Sequence, residues 1–141
     1  MYRLASSPND YKLCHALARS TSLEDRRLEY PTIMGIDDDI LIGFVSTMQK
    51  GGLLAVGQMA VKKGRLRSVV AGKLLTALEN VLRLSGVSWY YIPVQRDRDD
   101  LMELVSGFAE RLDDTDDGNA WFKRKIDVQS RRELSGADSR G

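Results

Sequence analysis

Residues 53–94 read LLAVGQMAVKKGRLRSVVAGKLLTALENVLRLSGVSWYYIPV, and their periodicity changes twice. Residues 53–61 follow the turn signal Lys50-Gly51-Gly52 and predict a strand. Over about 68–84, Val70, Leu74, Ala77, Leu78, Val81 and Leu82 fall on one face of a helix. Lys73, Thr76, Glu79, Asn80 and Arg83 fall on the other, so they read as solvent-facing. Ser85-Gly86 supplies the helix stop. Residues 89–94 (WYYIPV) are apolar without alternation, which predicts a central strand covered on both faces. Pro93 has no N–H to donate, so pairing should fail on one side there. Strand, helix and strand in this order make a parallel β-α-β step.

Upstream, residues 30–36, 40–48 and 53–61 are joined by Asp37-Asp38-Asp39 and Lys50-Gly51-Gly52, turns short enough to force antiparallel pairing. A short strand at about 2–5 precedes a helix that opens on Ser7-Pro8-Asn9-Asp10. Ser7 can cap it, Pro8 suits the first helical position, and Asp10 completes a box-like pattern. Residues 21–29 read as a second, weaker helix. Downstream lie a short helix at about 99–106, ended by Gly107, and strands around 109–112 and 119–126. The fold class is therefore α/β: a mixed sheet, an antiparallel meander plus a parallel β-α-β step, with helices on both faces. Residues 1–126 read as one domain and 127–141 as a polar tail too poor in apolar residues to pack alone.

Composition narrows the partners. Twenty-one basic residues against 20 acidic argue against a nucleic-acid binder. No apolar run reaches the roughly 18–20 residues of a membrane helix, and the first ten residues lack the apolar stretch of a secretory signal. One cysteine and one histidine, Cys14 and His15, exclude an intrachain disulfide and leave a Cys/His zinc site almost without ligands. Neighbours on a helix point about 100° apart, so Cys14 and His15 read as packing residues. The acidic groups Asp37 to Asp39, Asp97/Asp99/Asp100 and Asp113 to Asp117 fall at turns or helix starts. The last group lacks the closing glutamate of a calcium loop.

The element order and four strings resemble the GNAT superfamily of acyl-CoA-dependent N-acetyltransferases over about residues 1–126. The strings are Ser7 to Asp10, Met59-Ala60-Val61, RLRSVVAGKLL at 65–75, and SGFAERL at 106–112 followed by DGNAWFKRKI at 117–126. The resemblance implies that the fourth and fifth strands splay and that a pantetheine arm enters between them, with Pro93 at a position where a splay is tolerated. It further implies a pyrophosphate site at the entry of the long helix. Val61, Arg65, Leu66, Arg67, Ser68, Ala71 and Gly72 are its candidate cofactor-binding residues. A helix N-terminus offers free N–H groups to an anion there, and Lys62, Lys63, Arg65, Arg67 and Lys73 add positive charge.

The chemistry departs from the family pattern. The family's loop is glycine-rich, whereas two aligned positions here are Arg67 and Val69, and only Ala71 conforms. Residues 99–106 (DDLMELVS) lack the family's tyrosine acid and pantetheine asparagine. Gln58 is the long polar residue near the end of the fourth strand, where a deprotonating glutamate would stand. Tyr90 or Tyr91 could substitute as acid, although strand tyrosines are usually packed. Residues 72–94 are also similar to GNAT-like internal virion proteins of short-tailed bacteriophages. The resulting expectation is a non-catalytic structural or assembly protein of a virion, without cofactor or metal. It would touch neighbouring protein chains, or copies of itself, through its surface and tail, in a virion or host cytoplasm. The alternative is an N-acetyltransferase using acetyl-CoA with an atypical pyrophosphate loop.

Overall fold

The structure, a computed structural model, describes residues 1–21, 23, 26–113, 115 and 117–126. Its elements are β1 (Tyr2–Leu4), α1 (Pro8–Ser20), β2 (Glu29–Asp37), β3 (Ile40–Lys50), β4 (Leu53–Val61), α2 (Arg67–Leu84), β5 (Trp89–Gln95), α3 (Asp99–Ser106), β6 (Glu110–Arg111) and β7 (Asn119–Lys125). They form one seven-stranded sheet in the order β1-β2-β3-β4-β5-β7-β6. All neighbours pair antiparallel except β4 and β5, which are parallel. The mixed sheet expected from the sequence is present.

Local chemistry explains the element ends. Ser7 Oγ accepts from the Asp10 N–H at 3.1 Å, and Asp10 Oδ2 accepts from the Ser7 N–H at 3.3 Å, so α1 opens on a full capping box. Arg3 of β1 also grips both Asp10 oxygens, at 2.9 and 3.0 Å, and this ties strand to helix. Asp38 and Asp39 both take positive φ, as a two-residue hairpin turn between twisted strands requires.

Helices cover both sheet faces. On one face α2 and α3 bury Val70, Leu74, Leu78 and Val105 against Val45, Val56, Ile92 and Phe122. On the other, α1 buries Cys14, Leu17 and Ala18 against Met34, Phe44 and Ala60. Gly43 lets α2 settle on β3: a Cβ there would stand 2.9 Å from Val70 Cγ1 and 3.0 Å from the Ala60 carbonyl oxygen.

Four expectations need correction. Residues 26–28 are irregular and Glu29 opens β2, so the described part of 21–29 holds no second helix; positions 22, 24 and 25 lie outside the described residues. The strand expected at 109–112 is only Glu110–Arg111. β5 is covered on one face: Tyr90, Ile92 and Val94 are buried, but Trp89, Tyr91 and Pro93 are not, because α1 reaches β3 and β4 and stops there. Glu79 is buried rather than solvated. Arg124 of β7 donates to it through Nε at 2.6 Å and Nη2 at 3.3 Å, and the Tyr90 hydroxyl donates at 3.0 Å. Arg124 Nη1 also donates to the Phe108 carbonyl at 2.9 Å. The tail, 127–141, lies outside the described residues.

Three predictions follow from this packing. Arg124→Ala strands the Glu79 carboxylate and should cost about 3 kcal/mol, a fall in Tm of roughly 10 °C by thermal denaturation. The triple variant Glu79→Leu/Arg124→Met/Tyr90→Phe, which also removes the hydroxyl that Glu79 holds, should recover most of that loss. Asp10 is held well below the usual carboxylate range, first by the Arg3 hydrogen bonds and then by the Ser6 and Ser7 N–H groups. A depressed carboxyl stabilises above its ordinary pKa and loses that contribution as pH falls through its folded value. The Tm deficit of Asp10→Asn should therefore be full at neutral pH and shrink below about pH 4. Burial pushes the Cys14 thiol up to about 12, so a disulfide reagent at pH 8 should label it only after denaturation.

Candidate functional site at the β4–β5 splay

β4 and β5 are in register at one pair, Ala55 and Tyr91. Beyond it the strands part toward their C-terminal ends, while β5 stays paired to β7 from Trp89 to Gln95. Pairing thus stops on the β4 side of Pro93, where the missing N–H does least harm. β4 carries a bulge at the same level. Ser46 faces Gln58 and Thr47 faces Val56, which leaves Gly57 as the extra residue. A Cβ on Gly57 would meet the Thr47 carbonyl oxygen at 3.2 Å.

The bulge sets which backbone groups face the gap. The Lys62 N–H donates to the Ile42 carbonyl at 2.8 Å, and the Gln58 N–H turns toward β3 to reach Ser46 Oγ at 3.2 Å. Alternation directs the N–H and C=O of Met59 and Val61 the other way, into the splay. These donors stand on a rigid strand that a carbonyl oxygen can approach edge-on.

The open end of the splay leads to the first turn of α2. Leu66 is the N-cap and gives no side-chain cap, and the turn contains no acid. The bond from Val70 N–H to Leu66 carbonyl closes the turn at 3.1 Å. The N–H groups of Arg67, Ser68 and Val69 are therefore at the positive helix end. Arg65 reaches back to Asp37 of β2 at 2.6 Å. Arg67 crosses to Asp100 in the first turn of α3, with Nε to Oδ2 at 2.8 Å and Nη2 to Oδ1 at 3.2 Å. That guanidinium, with the Leu101 and Asp100 N–H groups, lowers the Asp100 pKa.

The structure gathers five of the seven candidate residues at this mouth: Val61 at the end of β4, then Arg65, exposed Leu66, Arg67 and half-buried Ser68. The Ala71 side chain is in the core, and Gly72 faces α3, where a Cβ would be 3.8 Å from Leu104 Cδ1. Sequence reasoning missed Met59, whose contribution is backbone, and Asp100, which reads as a helix-start acid. A signal for Asp100 existed. Helices that follow two adjacent parallel strands begin side by side, so an arginine opening one meets an acid opening the other.

Side chains suited to proton transfer are sparse here. Tyr90 is fully buried on Glu79, and burial with the Glu79 charge raises its pKa well above the usual phenol range, so it is structural. Tyr91 sits at the vertex of the splay, half-buried on the face α1 leaves open. No cluster of metal-binding side chains occurs among the described residues. No helix there is long and apolar enough to cross a membrane.

No protein-family model matches the chain, and no curated protein matches it in sequence. Solved structures do match. The aminoglycoside 6'-N-acetyltransferase from Enterococcus faecium superposes with a TM-score of 0.74 at 15% identity, over 89% of this chain and 97% of that one. An aminoglycoside 6'-N-acetyltransferase complexed with coenzyme A gives 0.69 at 16%, over 89% and 97%. An alanine N-acetyltransferase of a ribosomal protein from Escherichia coli gives 0.63 at 16%, over 89% and 94%.

These neighbours overturn the expectation of a non-catalytic virion or assembly protein. They are acetyltransferases, one of them holding coenzyme A, and nothing in them points to a phage particle. The physical ground of that expectation also weakens. Arg67 stands where the family pattern has a glycine, but its guanidinium is carried sideways onto Asp100 and no side chain caps the first turn of α2. In strand order, in its one parallel pair and in the splay that follows it, the chain has the fold of the GNAT N-acetyltransferases.

Proposed function

We propose that the protein is an acyl-CoA-dependent N-acetyltransferase with an atypical pyrophosphate loop. The observation that carries this reading is that β4, whose Met59 and Val61 N–H groups face away from β3 toward β5, leads within a few residues to the uncapped and acid-free first turn of α2. The residues fit the cofactor in kind. A polar strand edge suits a pantetheine arm, and free helical N–H groups beside arginines suit a pyrophosphate. Val69 is the remaining misfit, because a branched side chain keeps a phosphate further from the backbone than glycine does.

Acetyl-CoA, when bound, supplies an acyl group activated as a thioester. The chain supplies position. The N–H groups of Met59 and Val61 would hold the thioester carbonyl, and the first turn of α2 with Arg65 and Arg67 would hold the phosphates. The acceptor amine reaches the gap from the face that carries Tyr91, Pro93 and Trp121 and that α1 leaves uncovered. An amine that arrives neutral is already nucleophilic, and juxtaposition provides most of the rate.

A thermal-shift titration with coenzyme A and acetyl-CoA tests the reading. Ligand at about a hundred times its Kd adds roughly 2.7 kcal/mol, a rise of several degrees. The rise should saturate and be lost in Arg65→Glu/Arg67→Glu. No rise at millimolar ligand overturns the proposal.

A further inference from the structure

We infer that Asp100 lowers the affinity for the cofactor by acting as an internal counter-ion that competes with the pyrophosphate for Arg67. The inference rests on the acyl-CoA reading above and goes beyond it, because it assigns a residue outside the α2 loop.

Topology places the pair. Arg67 is the first residue of the helix that follows β4, and Asp100 is the second residue of the helix that follows β5. β4 and β5 are the two strands that part. An ion pair between those helix starts therefore spans the mouth of the gap on the α2/α3 side. Its geometry is bidentate: two guanidinium N–H groups meet two carboxylate oxygens at 2.8 and 3.2 Å. The planar fork of an arginine matches a carboxylate and a phosphate equally well, so the Nε and Nη2 edge of Arg67 cannot serve both at once. A phosphate gains that edge only by taking it from Asp100, and otherwise meets an arginine whose charge a carboxylate already balances.

The exchange is feasible. The two side chains retain 38% and 37% of their exposure, and an ion pair that wet is worth little in net terms. The pair is also electrically neutral, so it cancels the cation nearest the first turn of α2. Asp100 adds its own negative charge close to where phosphates would lie. Removing that charge frees Arg67 and removes a repulsion at once. Both effects have the same sign.

Calorimetric titration with coenzyme A, and separately with pantetheine, tests this on the full-length protein. Asp100→Asn should tighten coenzyme A by about fivefold and leave pantetheine, which has no pyrophosphate, unchanged. The gain should shrink in high salt. Asp100→Ser, which removes the charge with a shorter polar side chain, should behave like Asp100→Asn. In an Arg67→Gln background the effect of Asp100→Asn should fall below about twofold, since the residue acts largely through the arginine. Equal or weaker coenzyme A binding in both Asp100 variants overturns this inference and leaves the acyl-CoA reading standing. So does an equal gain for pantetheine. Failure of the unaltered protein to bind coenzyme A overturns both.

Discussion

The sheet is two pieces held in register at one point. β1 to β4 form an antiparallel meander, β5 to β7 a smaller antiparallel unit, and the parallel contact between them is in register only at Ala55 and Tyr91. With one registered pair between them, the sheet's own hydrogen bonds do little to hold the halves together. Helix α2 takes over that task. It packs on β1 to β4, and from its far side Glu79 reaches Arg124 of β7 and the Tyr90 hydroxyl of β5. Arg124 extends the link to the carbonyl of Phe108, after α3. One carboxylate thus couples the helix to every element of the smaller unit except β6. A buried pair is a costly way to add stability compared with apolar packing. What it adds here is direction, because the fork on Glu79 fixes where β7 lies relative to α2 and so fixes the opening of the splay.

Electrostatics at the other end of α2 has a different character. The first turn offers a partial positive charge and carries basic residues where helices usually carry acids. Left alone, that arrangement would repel itself. The protein answers with carboxylates borrowed from neighbouring elements, Asp37 from the β2–β3 turn and Asp100 from α3. Both pairs are exposed enough to exchange with a solute anion. The contrast with Glu79 and Arg124 is instructive: the same two functional groups make a fixed strut when buried and a replaceable counter-ion when wet.

Much of this was legible in the sequence, and the exceptions share a cause. Periodicity located α2 and the strands around it because their apolar positions repeat cleanly, and turn chemistry located Asp37 to Asp39 and Ser7 to Asp10. Glu79 was misread because periodicity treats a glutamate as solvent-facing, and only Arg124, 45 residues away, makes its burial affordable. β5 was read as doubly covered because WYYIPV is apolar throughout. In the structure α1 packs on β3 and β4, and which strands a helix covers is absent from a strand's own letters. At the splay, the donors of Met59 and Val61 are backbone groups, and their direction depends on a bulge at Gly57 that no local pattern announces. The conclusion drawn from the missing glycines failed for a related reason. A glycine-to-arginine change blocks a site only if the side chain stays in it, and Asp100 determines that it does not.

The fold by itself does not select an acceptor. Two of the neighbours named above are aminoglycoside 6'-N-acetyltransferases and one is an alanine N-acetyltransferase of a ribosomal protein, on one architecture at similar distance from this chain. In the proposed reaction, selection falls to the face of β5 and β7 that α1 leaves open. The residues there have little freedom. Lys123 lies 5.0 Å from the centre of the Trp89 ring, which spends its charge on the indole. Trp121 is fixed by its ring N–H to Asp117 at 2.8 Å, and that carboxylate also accepts from the Asn119 N–H. Two aromatic rings and Pro93 thus form a floor whose orientation is set before any acceptor arrives. With little dedicated acid–base machinery in the gap, discrimination among acceptors would rest on how well each holds its amine over the splay, the same positioning that supplies the rate.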